Sequence, residues 1–213
     1  MGFIMPQAWR SARRAFVTLA FLLVATSAFA APARTVLVFG DSLSAGYGLA
    51  PGEDWPALLA AKLADEAAGW RLVNASVSGE TTAGGLSRID RALAEHEPDV
   101  VLVELGANDA LRGLPLDLAE RNLDAIVAKS QAAGAKVLLL GMRIPPNYGP
   151  EYTERFVAMF ANVAQARKTA FVPFLLAPIA TDRANFQEDD LHPIAATQPK
   201  LVAFLWPEVA RLL

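Results

Sequence analysis

Five apolar, β-rich runs separated by segments of helical periodicity are the feature of this 213-residue chain that most constrains its fold. The predicted strands are Thr35–Phe39, Arg71–Asn74, Val100–Leu105, Lys136–Gly141 and Ala170–Phe174. Runs that stay apolar at successive positions are typical of parallel strands buried on both faces. Their alternation with helices predicts right-handed crossovers, and therefore an α/β fold: a doubly wound, five-stranded parallel sheet in a three-layer α/β/α sandwich.

Helix signals fill the gaps between the strands. Asp54 is a candidate N-cap for the first helix, and Asp117 with Glu120 three residues later resembles a capping box for another. An apolar stripe predicts a helix after the fourth strand, at Tyr152, Phe156, Phe160 and Val163. The last helix is expected to start near Pro199, and Pro207 is expected to kink or break it.

The first thirty residues have the pattern of a secretory signal peptide. A head of three arginines precedes the almost wholly apolar run 15–24, and Ala28 and Ala30 match a small-x-small cleavage site. The apolar run is short for a bilayer span of roughly 20 residues, which favours cleavage over a membrane anchor. We therefore expect residues 1–30 to be removed, residues 31–213 to form one domain, and the protein to be periplasmic or secreted in a Gram-negative bacterium.

The charge balance excludes several classes of partner. The formal net charge is −3 and the chain has no basic run, so it lacks the electrostatic footprint of proteins that bind nucleic acid or anionic lipid. No cysteine is present, which excludes a disulfide and a thiol nucleophile. The acidic run Glu188–Asp190 with a single nearby histidine is weak evidence for a metal site. We expect no metal or organic cofactor, a small-molecule substrate, and a monomer by default.

Polar residues with catalytic potential follow the ends of the predicted strands. Ser42 comes directly after the first strand, Gly79 after the second and Asn108 after the third. The carboxyl ends of parallel strands form the edge where open α/β sheets gather their ligand sites. Ser42 is the candidate nucleophile, and its alternative interpretation is a cap on a helix that follows the strand. Because Ser44 replaces the second glycine of a G-x-S-x-G elbow, an ordinary α/β-hydrolase is disfavoured.

A base and an orienting carboxylate are also available. The chain has only two histidines, and His96 lies at a predicted helix end, where a solvated role is favoured. His192 lies after the last strand, in an acidic loop that can return to the same edge of the sheet. Asp189 would hold one nitrogen of His192 and so fix the tautomer that accepts a proton from Ser42. Asp190 is the rival carboxylate.

The chain from about residue 35 to its end resembles the GDSL, or SGNH, hydrolase family. The resemblance rests on G-D-S-L-S-A-G-Y-G-L at 40–49, N-A-S-V-S-G-E-T at 74–81, V-L-V-E-L-G-A-N-D-A-L-R-G at 101–113 and D-D-L-H-P at 189–193. It is similar in particular to the family's multifunctional periplasmic thioesterase, protease and lysophospholipase branch. The resemblance implies the flavodoxin-like SGNH hydrolase fold, hydrolysis of esters and thioesters as an arylesterase, acyl-CoA thioesterase or lysophospholipase, and the catalytic residues Ser42, Asp189 and His192.

The resemblance also implies an oxyanion hole that stabilises negative charge on the substrate carbonyl. Its donors would be the backbone N–H groups of Ser42 and Gly79 and the side-chain amide of Asn108. The loops 110–115 and 143–152 should flank the acyl group. Apolar side chains in these loops are the candidates for binding it: Leu111, Leu114, Ile144 and Pro145.

Several alternatives stay open. A carbohydrate O-deacetylase or an acyltransferase could use the same scaffold, and preference for acetyl groups would distinguish it. A non-catalytic lipid-binding module is the alternative outside the enzymes. Glu104 is a separate oddity, because a carboxylate within an apolar strand is costly to bury without a partner. We hypothesise that Arg143, after the neighbouring strand, is that partner.

Overall fold

The computed structural model describes residues 33–213, and within them five parallel strands form one sheet in the order β2-β1-β3-β4-β5. The strands are β1 Arg34–Gly40, β2 Trp70–Asn74, β3 Val100–Glu104, β4 Lys136–Leu140 and β5 Ala170–Val172. All five predicted strands are confirmed, with ends that differ from the prediction by at most two residues. The predicted signal peptide at residues 1–30 lies outside the described residues.

Six α-helices surround this sheet within the described part of the chain. They are α1 Trp55–Glu66, α2 Thr82–His96, α3 Ala107–Leu111, α4 Leu116–Ala132, α5 Pro150–Arg167 and α6 Gln198–Ala210. Helix α4 packs against both α2 and α5, and α1 packs against α6, which gives the two helical layers of the predicted sandwich. Between residues 33 and 213 no helix has the length and apolar character needed to cross a membrane.

The core forms where both faces of the sheet are covered. Every residue of β3 is buried, and in β1 only Arg34 is exposed. Large aromatic side chains from the helices complete the packing, and Trp55, Phe156 and Phe160 are all fully buried. Burial on both faces explains why the strands read as continuous apolar runs rather than as alternating ones.

The strand order creates a crevice at the carboxyl ends of β1 and β3. The chain passes from β1 to β2 on one side of β1, and then returns to place β3 on the other side. Connections that leave in opposite directions open a gap between neighbouring strands, and ligands of doubly wound sheets bind there. Gly40 and Glu104 form the last pair in the register of β1 and β3. The loops that carry Ser42 and Asn108 therefore leave the sheet side by side.

One of the two predicted caps is confirmed and the other is wrong. Asp54 is the N-cap of α1 and its Oδ1 accepts the backbone N–H of Ala57 at 2.9 Å. The capping box at Asp117 is wrong, because α4 begins one residue earlier with the buried Leu116. Asp117 instead pairs with Arg155 of α5 at 2.6 Å.

Helix α6 starts at Gln198, as expected near Pro199, but it is not broken by Pro207 and continues to Ala210. Pro207 lies in the last turn and has no N–H to donate to the Ala203 carbonyl, so the helix lacks one backbone hydrogen bond there. Apolar residues on one face hold the helix against the core on both sides of the proline: Leu201, Val202, Leu205 and Val209.

Candidate active site

Ser42 lies two residues beyond β1 in a series of turns that spans residues 41–49. The first helix begins only at Trp55, so the interpretation of Ser42 as a helix cap is wrong. The side chain is half-buried and lines a cavity at the carboxyl edge of the sheet. A hydroxyl in this position is accessible to a ligand while its backbone is fixed by the strand.

His192 Nε2 lies 2.8 Å from Ser42 Oγ, although the two residues are 150 positions apart. The other ring nitrogen, Nδ1, lies 2.6 Å from Asp189 Oδ2. Asp189 Oδ1 accepts the backbone N–H groups of Leu191 and His192, both at 3.0 Å. Partial burial acts to raise the pKa of Asp189, but these hydrogen bonds outweigh it and lower the pKa to about 2. The carboxylate favours the tautomer with a proton on Nδ1, so that Nε2 can accept the Ser42 proton.

The loop that carries His192 is held by a backbone hydrogen bond and by an ion pair. The backbone N–H of Gln187 donates to the His192 carbonyl at 2.8 Å. Arg183 forms an ion pair with Asp190, whose φ of +60° lies in the left-handed region. The rival carboxylate is therefore engaged by a guanidinium, and Asp189 is the one that contacts the imidazole.

Tyr47 covers the imidazole and was not predicted. Its ring centroid lies 4.5 Å from that of His192, with the two planes tilted by 39°. The Tyr47 carbonyl accepts a hydrogen bond from Gln187 Nε2 at 2.8 Å, which links the turns at residues 41–49 to the loop that carries His192. An aromatic residue five positions after a candidate nucleophile is a weak signal in the sequence, because the loop that it meets lies far along the chain.

The candidate oxyanion donors come from three separate segments, which follow β1, β2 and β3. Asn108 lies in the first turn of α3 and lines the same cavity as Ser42. Gly79 lies between β2 and α2, outside the lining of that cavity, and adopts a φ of +78° that favours glycine. The Gly79 carbonyl accepts Arg112 Nη2 at 2.8 Å. Ser42 and Asn108 thus line one cavity while Gly79 lies outside its lining, and the oxyanion roles of all three stay a prediction.

Asp109 fixes the helix that carries Asn108 and was also missed. It is buried, and its two oxygens accept the backbone N–H and the hydroxyl of Thr82 at 2.8 and 2.6 Å. Asn122 Nδ2 donates to the same hydroxyl at 3.2 Å. These bonds join α3 to the start of α2, and so relate Asn108 to the loop that contains Gly79. The sequence signal for Asp109 was its position directly after Asn108, a candidate amide donor.

Two buried carboxyl groups, those of Asp41 and Glu104, form hydrogen bonds with the turns at residues 41–49. Asp41 is 1% exposed, and its Oδ1 and Oδ2 accept the Leu43 N–H at 3.1 Å and Asn108 Nδ2 at 3.0 Å. Glu104 is 0% exposed, and its Oε2 accepts the Ser44 hydroxyl at 2.7 Å and the Asp41 N–H at 3.3 Å. Glu104 Oε1 has no hydrogen-bond partner. The network joins the turn after β1 to the oxyanion candidate after β3.

The hypothesised ion pair between Glu104 and Arg143 is wrong. The Arg143 guanidinium lies over the Phe174 ring, with its Cζ 5.1 Å from the centroid. Burial, and then the neighbouring Asp41 carboxylate, raise the pKa of Glu104 well above its usual range. Burial also raises the pKa of Asp41 to about 6, against the lowering effect of its hydrogen bonds. Burial therefore favours the protonated form of Glu104, whose Oε2 is contacted only by neutral donors, the Ser44 hydroxyl and the Asp41 N–H.

A cavity of about 450 Å³ opens beside Ser42 and His192. Three of the predicted acyl-binding residues line it, namely Leu111, Ile144 and Pro145. Leu114 does not, because the chain turns after α3 and leaves this side chain exposed. Other apolar residues complete the wall: Met142, Phe174, Leu176 and Phe186. No group of three or more potential metal ligands is clustered anywhere in residues 33–213.

We predict that Glu104→Gln will be tolerated and will change the pH dependence of stability. Because the folded-state pKa of Glu104 lies above its unfolded value of about 4.3, the folded protein keeps a proton that the unfolded chain releases above that pH. Wild-type stability should therefore fall as pH rises from about 4.3 toward the folded pKa. Glutamine has no proton to lose, so the difference in unfolding free energy should shift in favour of the variant as pH rises.

Urea unfolding at pH 5 and pH 8 measures this difference. Glu151→Gln, at an exposed position of α5, is the matched control. A gap between Glu104→Gln and the wild type that stays constant with pH would contradict a neutral Glu104.

Comparison with known proteins agrees with this geometry. Residues 38–198 match the model of the GDSL-like lipase/acylhydrolase family. The chain is 48% identical over 183 residues to esterase TesA of Pseudomonas aeruginosa, covering 86% of this chain and 91% of that protein. It is 40% identical over 182 residues to thioesterase 1/protease 1/lysophospholipase L1 of Escherichia coli, covering 85% of this chain and 86% of that protein.

A solved structure extends the similarity to three dimensions. The crystal structure of TesA superposes with a TM-score of 0.82 at 48% identity, and the match covers 84% of this chain and 100% of that one. The residues that match the family model include Ser42, Asn108, Asp189 and His192. The predicted SGNH-type fold is thereby confirmed, and the chain belongs to the GDSL-like lipase/acylhydrolase family.

Proposed function

We propose that the protein hydrolyses carboxylic esters and thioesters through an acyl-enzyme on Ser42. The proposal rests above all on the chain of contacts from Ser42 Oγ to His192 Nε2 and from His192 Nδ1 to Asp189, at 2.8 and 2.6 Å. A serine hydroxyl is a weak nucleophile until a base removes its proton during attack. The base here is within hydrogen-bonding distance, and its orientation is fixed by an ionised carboxylate.

The reaction proceeds in two steps. Ser42 Oγ attacks the substrate carbonyl and gives its proton to His192 Nε2, forming a tetrahedral oxyanion. The bond to the leaving group then breaks, and the alcohol or thiol departs with the proton from His192. Water attacks the resulting acyl-enzyme with His192 again as base, and collapse of the second oxyanion releases the acid and restores Ser42.

The oxyanion is stabilised in this proposal by the N–H groups of Ser42 and Gly79 and by the amide of Asn108. Asn108 is supported in that role by its bond to Asp41, which fixes the rotamer of the amide and leaves its second N–H for the substrate. Donors that are oriented before the reaction stabilise the developing charge without reorganisation.

The apolar cavity favours an aliphatic acyl group as the part of the substrate that is recognised. A volume of about 450 Å³, walled by leucine, isoleucine, methionine and phenylalanine side chains, far exceeds the needs of an acetyl group. This observation favours acyl esters, acyl thioesters and lysophospholipids as substrates over the carbohydrate O-acetyl esters that a deacetylase would cleave. The thioesterase and lysophospholipase named among the relatives act on substrates of that kind.

Substitution of Ser42 tests the proposal directly. We expect Ser42→Ala to reduce kcat for p-nitrophenyl butyrate by about 10⁴- to 10⁶-fold, because the covalent route is lost. The wild type should show a burst of p-nitrophenol if deacylation is the slower step. Ser87→Ala, on α2, removes a serine that bonds only to its own helix, and it should keep full activity. Turnover by Ser42→Ala at the wild-type rate would refute the acyl-enzyme.

Asn108 provides a separate test of the oxyanion hole. We expect Asn108→Ala to lower kcat by about 10²- to 10³-fold with little change in KM, because the lost donor acts mainly in the transition state. Asn162→Ala, on the exposed face of α5, removes an amide that bonds Glu120 and is the control. An increase in KM without loss of kcat would assign Asn108 to substrate binding instead.

We also propose that residues 1–30 are an export signal and that the mature enzyme is a single periplasmic domain beginning at Ala31. The basic head, short apolar run and alanine-rich cleavage site support this. Expression of the full chain in a Gram-negative host should yield periplasmic protein whose N-terminal sequence starts at Ala31. Retention of residues 1–30 in the active protein would refute cleavage.

A further inference from the structure

Residues 75–81 join β2 to α2 and contain Gly79, one of the candidate oxyanion donors. Apart from a turn at residues 78 and 79 the segment has no regular secondary structure. The Val77 N–H donates to the Gly40 carbonyl at 3.0 Å, which places the segment beside the end of β1. A backbone N–H stabilises an oxyanion best when its direction is fixed before the reaction. Side chains that hold this segment therefore bear on the candidate site.

Arg88 of α2 contacts both ends of the segment. Its Nη1 donates to the Ala75 carbonyl at 2.7 Å, and its Nε donates to Glu80 Oε2 at 2.6 Å. Its Nη2 lies 3.5 Å from the Gly40 carbonyl oxygen. The guanidinium presents its N–H donors in a rigid plane. One side chain thus connects the start and the end of the segment to β1, two residues before Ser42.

The Arg88 guanidinium is itself held by its surroundings. Its Cζ lies 3.9 Å from the centroid of the Phe39 ring, and Phe39 is fully buried. The side chains of Arg88 and Glu80 are 25% and 13% exposed, so water screens this ion pair less than it screens a surface pair. A Cβ atom on Gly84 would overlap Glu80 Oε1. A larger residue at position 84 would therefore displace the carboxylate that pairs with Arg88.

We propose that Arg88 is a positioning residue for the Gly79 N–H and acts through it on the oxyanion at Ser42. This inference rests on the proposed function and adds to it a residue that lies outside the lining of the cavity beside Ser42. Loss of the guanidinium would release both ends of the segment while β2 and α2 stay packed. The Gly79 N–H would then have to reorient as the oxyanion forms, and it would stabilise the transition state less.

The first test removes the donors of Arg88 but keeps an unbranched side chain. Removal of an oxyanion donor costs about 10²- to 10³-fold, so misdirection of one should cost less. In Arg88→Met we expect kcat for p-nitrophenyl butyrate to fall about tenfold, with a change in KM of less than about twofold. Arg88→Lys keeps the charge beside Glu80 and should recover part of kcat. Arg91→Met, at an exposed arginine of the same helix that pairs with Glu95, is the matched control and should keep full activity.

Two further measurements separate positioning from a general loss of stability. Butylboronic acid adds to a serine hydroxyl as a tetrahedral anion, so its affinity should weaken in Arg88→Met by about the same factor as kcat. The Gly79→Ala variant already strains the backbone at that donor, because Gly79 has a φ of +78°. In the Gly79→Ala background, Arg88→Met should therefore lower kcat by less than about twofold. The double variant Arg88→Met with Glu80→Gln leaves no unpaired carboxylate and serves if the single variant does not fold.

The proposal would be overturned by an unchanged kcat in Arg88→Met, or by equal losses with glycine and with alanine at position 79. An unchanged affinity for butylboronic acid would overturn it as well. Absence of Ser42-dependent turnover in the wild type would instead refute the proposed function. Amide hydrogen exchange of residues 75–81 would still test the contact, because it should be faster in Arg88→Met than in the wild type and unchanged in Arg91→Met.

Discussion

The pairing of β1 with β3 is the interaction on which the candidate active site depends. Gly40 lies opposite Glu104 in the last pair of the register. A Cβ atom on Gly40 would lie 2.8 Å from both the Glu104 carboxyl and the Ser44 hydroxyl, so only glycine lets these groups meet. Glu104 accepts the Ser44 hydroxyl and the Asp41 N–H, and Asp41 accepts the Asn108 amide, so these bonds join the segments that carry the candidate nucleophile and the candidate amide donor.

The fold could be read from the sequence because burial on both faces leaves long apolar runs, and each such run became a strand. Details that depend on tertiary contacts could not be read in the same way. Asp117 and Glu120 satisfy a capping-box pattern, yet the helix starts where Leu116 reaches the core. Pro207 has poor helix propensity, but the buried Leu205 and Val209 on either side of it outweigh that preference. Local signals compete with packing, and packing decides these positions.

The convergence of Ser42, Asn108 and His192 was predictable because the carboxyl ends of parallel strands share one edge. The environment of Glu104 was not. A buried carboxylate suggests a cationic partner, but β4 and its Arg143 lie on the side of β3 away from β1. Ser44, two residues beyond Ser42, donates its hydroxyl to Glu104 instead. Tyr47 and Arg183 were not predicted for a similar reason, since each contacts the loop that carries His192, and only the folded chain defines the position of that loop.

The protonation of the carboxyl pair has a consequence for the chemistry. In the proposed reaction the oxyanion at Ser42 would be negative, and a second charge on Glu104 would add to the repulsion from Asp41. Burial favours the protonated form of Glu104, which disfavours a second negative charge next to the Asp41 carboxyl that bonds Asn108. In a water-poor site such a difference matters more than it would in bulk solvent. No ion pair forms at Glu104 among residues 33–213. An ion pair with Arg143 would have favoured the ionised carboxyl, and it would have engaged a guanidinium that instead borders the cavity beside Ser42.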